Sequence, residues 1–120
     1  MARSRIGATN LRIDAINLWL NRWCLLTSGD KNNHNTMTIG WGSIGTMWSK
    51  PFIQVVVRPQ RYTYEFMEKY STFTVSVLPL QYREAMQILG SKSGRDSDKV
   101  KESGLTVVNS EIVEAPAFKE

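Results

Sequence analysis

The sequence predicts a mainly β fold with short helices, arranged as a closed or partly closed antiparallel barrel. Short runs of alternating or β-branched apolar residues are separated by turn signals, and only small helical segments interrupt them. No long helix alternates with every strand, as a parallel doubly wound sheet would require. With 120 residues, 42% hydrophobic and 22% charged, the composition is that of one soluble globular domain.

The first predicted element is an amphipathic helix over Thr9–Arg22, whose first turn either Thr9 or Asn10 would cap. The apolar residues at helical spacing in this segment are Leu11, Ala15, Leu18 and Trp19. We therefore predict a helical extension over residues 1–22, within a single domain of residues 1–120.

Two strands joined by a polar turn follow this helix. Trp23–Thr27 reads as a short apolar strand, and Ser28–Asn33 carries residues typical of a turn. Asn35–Trp41 alternates in character, as a strand with one buried face does. We predict a buried face of Met37, Ile39 and Trp41, and a face free for a ligand of Thr36, Thr38 and Gly40.

The second half of the chain alternates between strands and short helices. Pro51–Val57 is a continuous apolar run, typical of a central strand covered on both faces. Ser91–Lys99 has no apolar side chain, so we expect a solvated loop or a binding loop. The other predicted elements are a helix over Tyr62–Tyr70, a strand over Phe73–Leu78, a helix over Leu80–Leu89 ended by Gly90, and a strand over Leu105–Val113.

The positive charge is concentrated in one part of the chain. The net charge is +4, and the window from residue 31 to residue 64 contains four cations and no acidic residue. These cations are Lys31, Lys50, Arg58 and Arg61. A local positive zone suits a small anion such as a cofactor phosphate better than a nucleic acid, which requires an extended basic surface.

Little in the sequence supports acid–base, nucleophilic or metal chemistry. Cys24, the single cysteine, lies in an apolar run and is predicted to be a buried packing thiol in a reducing, cytoplasmic setting. His34 lies in a polar turn and is expected to be exposed. No cluster has metal-ligand spacing, so no metal is predicted and any catalytic residue stays unknown. The charged N-terminus and the lack of a long apolar stretch predict no secretory segment and no membrane span.

Hydrogen-bond donors, by contrast, are concentrated in three segments. A phosphate requires charge-assisted donors, and a planar cofactor ring requires an apolar or aromatic wall, for which Trp41 and Trp48 are candidates. Each group has an ordinary alternative, since strand hydroxyls are often solvent-facing and the arginines of the second segment could pair with Glu65 or Glu68. The donors are Asn35, Thr36 and Thr38, then Arg58, Gln60, Arg61 and Thr63, and finally Ser93, Gly94, Arg95 and Lys99.

Taken together, these segments resemble the flavin reductase-like, FMN-binding split-barrel family, and most closely its flavoredoxin-like branch. The similarity runs from about Trp23 to the end of the chain in the family's order. The matching stretches are Trp23–Asp30, Asn35–Gly45, Lys50–Pro51, Arg58–Phe66 and Gly90–Lys99.

The resemblance implies a split β-barrel with Greek-key antiparallel topology and a site for FMN. It places Asn35, Met37, Thr38 and Trp41 along the flavin. Phosphate and ribityl contacts then fall on Arg58, Arg61 and Thr63, and the loop that closes on the cofactor contributes Ser93, Arg95 and Lys99. The resemblance also implies a homodimer with FMN near the subunit interface.

The family pattern continues beyond residue 120 with further strands, so the chain is expected to be a fragment or a short form whose open edge a partner subunit covers. The resemblance implies an oxidoreductase in which FMN takes electrons from a reduced nicotinamide or a protein donor. The alternative is a non-enzymatic FMN-binding electron carrier or an inactive truncated copy. Neither hypothesis involves nucleic acid or a membrane.

Overall fold

The computed structural model describes residues 4–120, and within this range strands and short helices form three antiparallel sheets. The helices are α1 Ala15–Asn17, α2 Tyr62–Lys69, α3 Arg83–Ser91 and α4 Lys99–Ser103. The strands are β1 Cys24–Gly29, β2 His34–Ile39, β3 Gly42–Met47, β4 Lys50–Val55, β5 Phe73–Ser76, β6 Val107–Val108 and β7 Ala117–Phe118. None of these helices has the length and apolar character needed to cross a membrane.

Strand β1 is the centre of the largest sheet. It pairs antiparallel with β2 on one side and with β5 on the other. The hairpin β3–β4 and the pair β6–β7 form the two smaller sheets. Sheets and short helices are therefore present as expected, but the sheets within residues 4–120 do not close into one barrel.

The core lies on both faces of β1, whose six residues are all buried. Leu25 packs on one side with residues of α3 and with Phe118 of β7. Leu26 packs on the opposite side with Trp19, Met37 and other apolar residues. Each such side chain contributes about 1.5–3 kcal/mol when fully buried, so the two layers hold β1 and α3 in fixed positions.

The single helix predicted over Thr9–Arg22 is wrong. Residues Ala8–Asn10 form a separate 3₁₀ turn, α1 begins only at Ala15, and a π-helical turn continues from Leu18 to Arg22. Asp14, rather than Thr9 or Asn10, is the N-cap, because its carboxylate accepts a hydrogen bond of 3.0 Å from the backbone N–H of Asn17. The part of the predicted extension in residues 1–3 lies outside the described residues, and the division into one domain stays a prediction.

The strand predicted over Pro51–Val57 is present as β4, but it is not a central strand covered on both faces. Strand β4 pairs only with β3 in the described part of the chain, and the residues from Lys50 to Gln54 are exposed. An apolar run does not by itself reveal whether other elements cover it. Here Ile44 and Val55, at the base of the hairpin, pack against the core around Leu26, and the rest of β4 is exposed.

The predicted faces of β2 hold only in part. Met37 and Ile39 are buried as expected, but Trp41 is 65% exposed and lies beyond the end of the strand. The hydroxyl face is not free: Thr36 is fully buried and shares a 2.8 Å hydrogen bond with Thr27. Helix α3 covers this face, and Thr38 donates to the carbonyl of Met86 at 2.5 Å.

Helix α2 matches its prediction closely, while other boundaries differ. Gly90 does not end α3, which continues to Ser91. A Cβ at Gly90 would lie 3.0 Å from the Cβ of Thr38, so the glycine permits close packing of the helix against β2. The strand predicted over Leu105–Val113 is reduced to the two residues of β6.

Candidate functional site

Two cavities meet at Met37 and Arg61, which line both of them. The larger, of about 320 Å³, lies between the start of α2, the end of α3 and the loop of residues 92–98. The smaller, of about 180 Å³, lies between the end of β2 and residues 56–61. Below they are called the inner cavity and the strand cavity.

All ten residues predicted to bind the cofactor line one of these two cavities. Their roles stay predictions, but the three segments do converge. The inner cavity has Asn35, Met37, Arg61, Thr63, Ser93, Arg95 and Lys99. The strand cavity has Met37, Thr38, Trp41, Arg58 and Arg61.

Two cations lie together at the end of α3. Arg61 donates to the carbonyl of Gly90 at 3.2 Å, and the buried ammonium of Lys99 donates to the carbonyls of Leu89 and Lys92 at 3.0 and 3.2 Å. These carbonyls belong to the negative end of the helix dipole, which favours cations. Within residues 4–120, neither Arg61 nor Lys99 forms an ion pair with a carboxylate.

Burial, and secondarily the charge of Arg61, lowers the pKa of Lys99 from 10.5 to about 8. Desolvation disfavours the charged ammonium, and a neighbouring cation adds to that effect. The ammonium is still mostly protonated at neutral pH. An anion in the inner cavity would relieve both costs.

A buried hydrogen bond fixes the start of α2 against β2. Nδ2 of Asn35 donates to Oγ1 of Thr63 at 2.7 Å, and both residues are buried. Because Thr63 accepts this bond, its own hydroxyl proton remains able to donate. The predicted pair of site residues is thus part of the scaffold as well as of the cavity wall.

Arg95 ties the loop of residues 92–98 to α2. Its guanidinium forms an ion pair with Glu65, donates to the carbonyl of Gln60 at 3.2 Å, and lies over the ring of Tyr62 at 5.0 Å. Ser93 supports the loop by accepting a bond from the backbone N–H of Arg95. Glu65 therefore pairs with Arg95, and not with Arg58 or Arg61.

The strand cavity has a more apolar wall. Met37, Ile39, Trp41 and Val56 line it together with Arg58 and Arg61. Trp48, the second tryptophan considered as a wall, is 93% exposed on the β3–β4 turn and lines neither cavity. The two cavities therefore give no support to Trp48 as a ring wall.

A model of the family described as "Flavin reductase like domain" matches residues 21–120. The chain belongs to this family. The resemblance noted in the sequence is thereby confirmed.

Relatives and solved structures agree with this assignment. An uncharacterised protein of Pyrococcus abyssi is 33% identical over 104 residues, which cover 86% of this chain and 58% of that protein. Flavoredoxin of Desulfovibrio vulgaris (Miyazaki F) has a TM-score of 0.75 and 28% identity, over 99% of this chain and 62% of flavoredoxin. An FMN-binding protein from Thermus thermophilus with bound 1-cyclohex-2-enone shares the fold at a TM-score of 0.72 and 19% identity, over 99% of this chain and 63% of that one.

These comparisons support the flavoredoxin-like branch of the flavin reductase-like family. The chain spans about three fifths of the length of the proteins just named. The structural agreement therefore concerns the portion of the fold that carries the two cavities.

Several wall residues of this flavin reductase-like chain were not among the predicted ligands. Gly90, Ser91 and Lys92 bring the end of α3 into the inner cavity, together with Tyr62 from α2 and Asp96 from the loop. Nothing in the sequence indicated that carbonyls at the end of α3 would hold two cations. Tyr62, next to Arg61, was identifiable only through its place in the matching stretch.

The remaining reactive side chains lie outside the paired cavities. Cys24 is fully buried as predicted, and burial raises the pKa of its thiol to about 11, so the thiol is protonated at neutral pH. His34 is half-buried rather than exposed, because it begins β2 and its Nδ1 lies 3.0 Å from the carbonyl oxygen of Asp30.

Proposed function

We propose that this flavin reductase-like chain binds FMN across the inner and strand cavities and acts as an FMN-dependent oxidoreductase. The observation that carries the proposal is the pair Arg61 and Lys99, two adjacent cations without a carboxylate partner in residues 4–120. The donor set fits a phosphate monoester, which gains charge-assisted hydrogen bonds from arginine and lysine.

The inner cavity is the phosphate end in this proposal. Arg61 and Lys99 supply the positive charge, and the hydroxyl of Thr63 supplies a neutral donor. Thr63 lies in the first turn of α2, where backbone N–H groups have no partner within the helix and the helix dipole favours negative charge. Desolvation strengthens these interactions, because the effective dielectric is lower than in water.

The strand cavity is the ring end. Met37, Gly40, Trp41 and Val56 offer an apolar surface and an exposed strand end, which suit one face and one edge of a planar ring. When bound, the flavin supplies the redox chemistry, while the protein supplies binding and electrostatics. Arg58 lines the same cavity and would favour negative charge at that end.

The predicted electron donor is a reduced nicotinamide or a protein, and the predicted assembly is a homodimer in the cytoplasm. Support for a subunit interface comes from the β3–β4 hairpin and the residue Val56 of the strand cavity, which expose several large apolar side chains. Contiguous exposed apolar surface is typical of interaction sites. The side chains are Met47, Trp48, Phe52, Ile53 and, just after β4, Val56.

The visible absorption spectrum of the purified protein, followed by titration with FMN, tests the proposal. A flavin band together with oxidation of NADH or NADPH supports the oxidoreductase. A flavin band without nicotinamide consumption supports the alternative of a non-enzymatic electron carrier. Colourless protein that does not bind added FMN contradicts both.

A further inference from the structure

A third cavity, of about 460 Å³, lies on the other side of the loop of residues 92–98. It is called the outer cavity here. Its wall includes residues that also line the inner cavity, so these residues form the boundary between the two. The shared residues are Asn35, Tyr62, Arg95, Asp96 and Lys99.

Arg95 is the side chain that spans this boundary. It reaches from the loop to Glu65 and the ring of Tyr62 on α2, and to the carbonyl of Gln60 just before that helix. Gly94 packs so tightly beside it that a Cβ there would overlap the side-chain oxygen of Asn35 and lie 2.9 Å from Cδ2 of Tyr62. The loop and α2 are thereby joined at the phosphate end of the proposed site.

We propose that Arg95 is a specificity-determining residue: it closes the phosphate end, so that the site takes a flavin mononucleotide and disfavours a flavin dinucleotide. This inference rests on the proposed function. FMN ends in a monoester, which can be contained within the inner cavity. The corresponding phosphate of FAD continues through a second phosphate to adenosine, which must leave the cavity through its wall.

The chemistry of the outer cavity identifies it as the path for that second half. Its volume is within the range of small-molecule sites. The amides of Asn32 and Asn33 and the rings of Tyr62 and Phe66 line it, and amides and aromatic rings are the groups that recognise a nucleobase edge and face. Arg95 is the boundary residue whose side chain crosses from the loop to Glu65 and Tyr62, between this surface and the phosphate end.

A direct phosphate contact by Arg95 is the competing role. The guanidinium is already neutralised by Glu65, whereas Arg61 and Lys99 have no carboxylate partner within residues 4–120. The two roles predict opposite results when Arg95 is removed. If Arg95 is a barrier, its removal should strengthen the binding of FAD and leave that of FMN unchanged. If Arg95 is a phosphate ligand, its removal should weaken the binding of FMN.

The experiment measures Kd for FMN, FAD and riboflavin, by quenching of flavin fluorescence, on the wild type, Arg95→Ala, Glu65→Gln and the control Lys101→Ala. Lys101 is an exposed cation on α4 that lines neither the inner nor the outer cavity. The wild type should bind FMN more tightly than FAD. Arg95→Ala should reduce this preference about tenfold through tighter FAD binding, the size expected for losing an exposed ion pair and an exposed cation–π contact together.

Glu65→Gln removes the ion pair but keeps the arginine and its contact with Tyr62, so it should change the preference in the same direction by a smaller factor. This variant decides the question if Arg95→Ala does not fold. Three results would overturn the inference and leave the proposed function intact. The first is an unchanged preference in both variants, and the second is equal affinity of the wild type for FMN and FAD. The third is a loss of FMN binding in Arg95→Ala without a gain in FAD binding. A wild type that binds no flavin refutes the proposed function itself.

Discussion

The side chains of Arg61 and Lys99 bind neighbouring carbonyls in the last turn of α3: Arg61 donates to Gly90 at 3.2 Å, and Lys99 donates to Leu89 at 3.0 Å. Two like charges are thus held together by one helix end. Within residues 4–120 no carboxylate pairs with either cation, which leaves the inner cavity positively charged.

Replacing Lys99 with methionine should weaken FMN binding roughly ten- to a hundredfold, because a charge-assisted hydrogen bond to phosphate is worth about 1.5–3 kcal/mol. Methionine keeps most of the apolar stem, and riboflavin binding should change little since riboflavin has no phosphate. Fluorescence titration with both flavins measures the effect. Lys101→Ala is the matched control, and equal losses for FMN and riboflavin would argue against a phosphate contact.

The affinity for FMN should fall as the pH rises through about 8. The pKa of Lys99 is lowered from 10.5 to about 8, chiefly by burial and then by Arg61, so above pH 8 the ammonium loses the charge that attracts the phosphate. Calorimetry between pH 7 and pH 9.5 measures this trend. It should be absent in Lys99→Met, and a trend that persists in that variant would assign it to another group.

The stability of the ligand-free protein should show the opposite trend. Between pH 8 and pH 10.5 the unfolded chain keeps the Lys99 proton while the folded chain has lost it, so this residue raises the free energy of unfolding as the pH rises. Urea denaturation of the wild type and of Lys99→Met across that window isolates the contribution. A wild-type curve parallel to that of the variant would contradict the prediction.

Thr63→Val should destabilise the protein by about 1–3 kcal/mol, because it leaves the buried amide of Asn35 without its acceptor. The free energy of unfolding from urea denaturation measures the loss. Thr46→Val, at an exposed position of β3, is the control and should have little effect. Similar values for the two variants would show that the Asn35–Thr63 bond contributes little.

Gly94→Ala should weaken FMN binding, since the added Cβ would overlap the side-chain oxygen of Asn35 and push the loop away from α2. We expect about a tenfold loss of affinity, because an overpacking cost of about 1–3 kcal/mol is large enough to displace the loop from its position at the cavity. Gly7→Ala is the control, because its Cβ would meet no atom closer than 3.7 Å. Unchanged FMN affinity in Gly94→Ala would show that the loop position does not matter for the site.

Apolar runs in the sequence predicted strands correctly, but they did not always predict whether a strand is buried. The run around Leu25 and Leu26 predicted a strand, and its apolar residues are buried on both faces of β1. The equally apolar run at Pro51–Val57 predicted the same burial, yet β4 is exposed. A local pattern reports the preference of a segment for strand structure, whereas burial depends on which distant elements pack against it.

The convergence of the three donor segments could be predicted from the resemblance, but the ion pairs and hydrogen bonds of the individual side chains could not. Glu65 and Arg95 are thirty residues apart, and nothing local indicates that they form an ion pair. Lys99 was predicted from a polar loop, yet it is buried because it binds carbonyls at the end of α3. Such contacts depend on the tertiary placement of α3 and α4.

The most direct test of the account compares the affinity of the wild type for FMN with its affinity for riboflavin, which differs only in lacking the phosphate. If Arg61 and Lys99 hold the phosphate, FMN should bind at least about tenfold more tightly, the minimum expected from one charge-assisted hydrogen bond. Equal affinity for the two flavins would show that the two cations do not serve as a phosphate site.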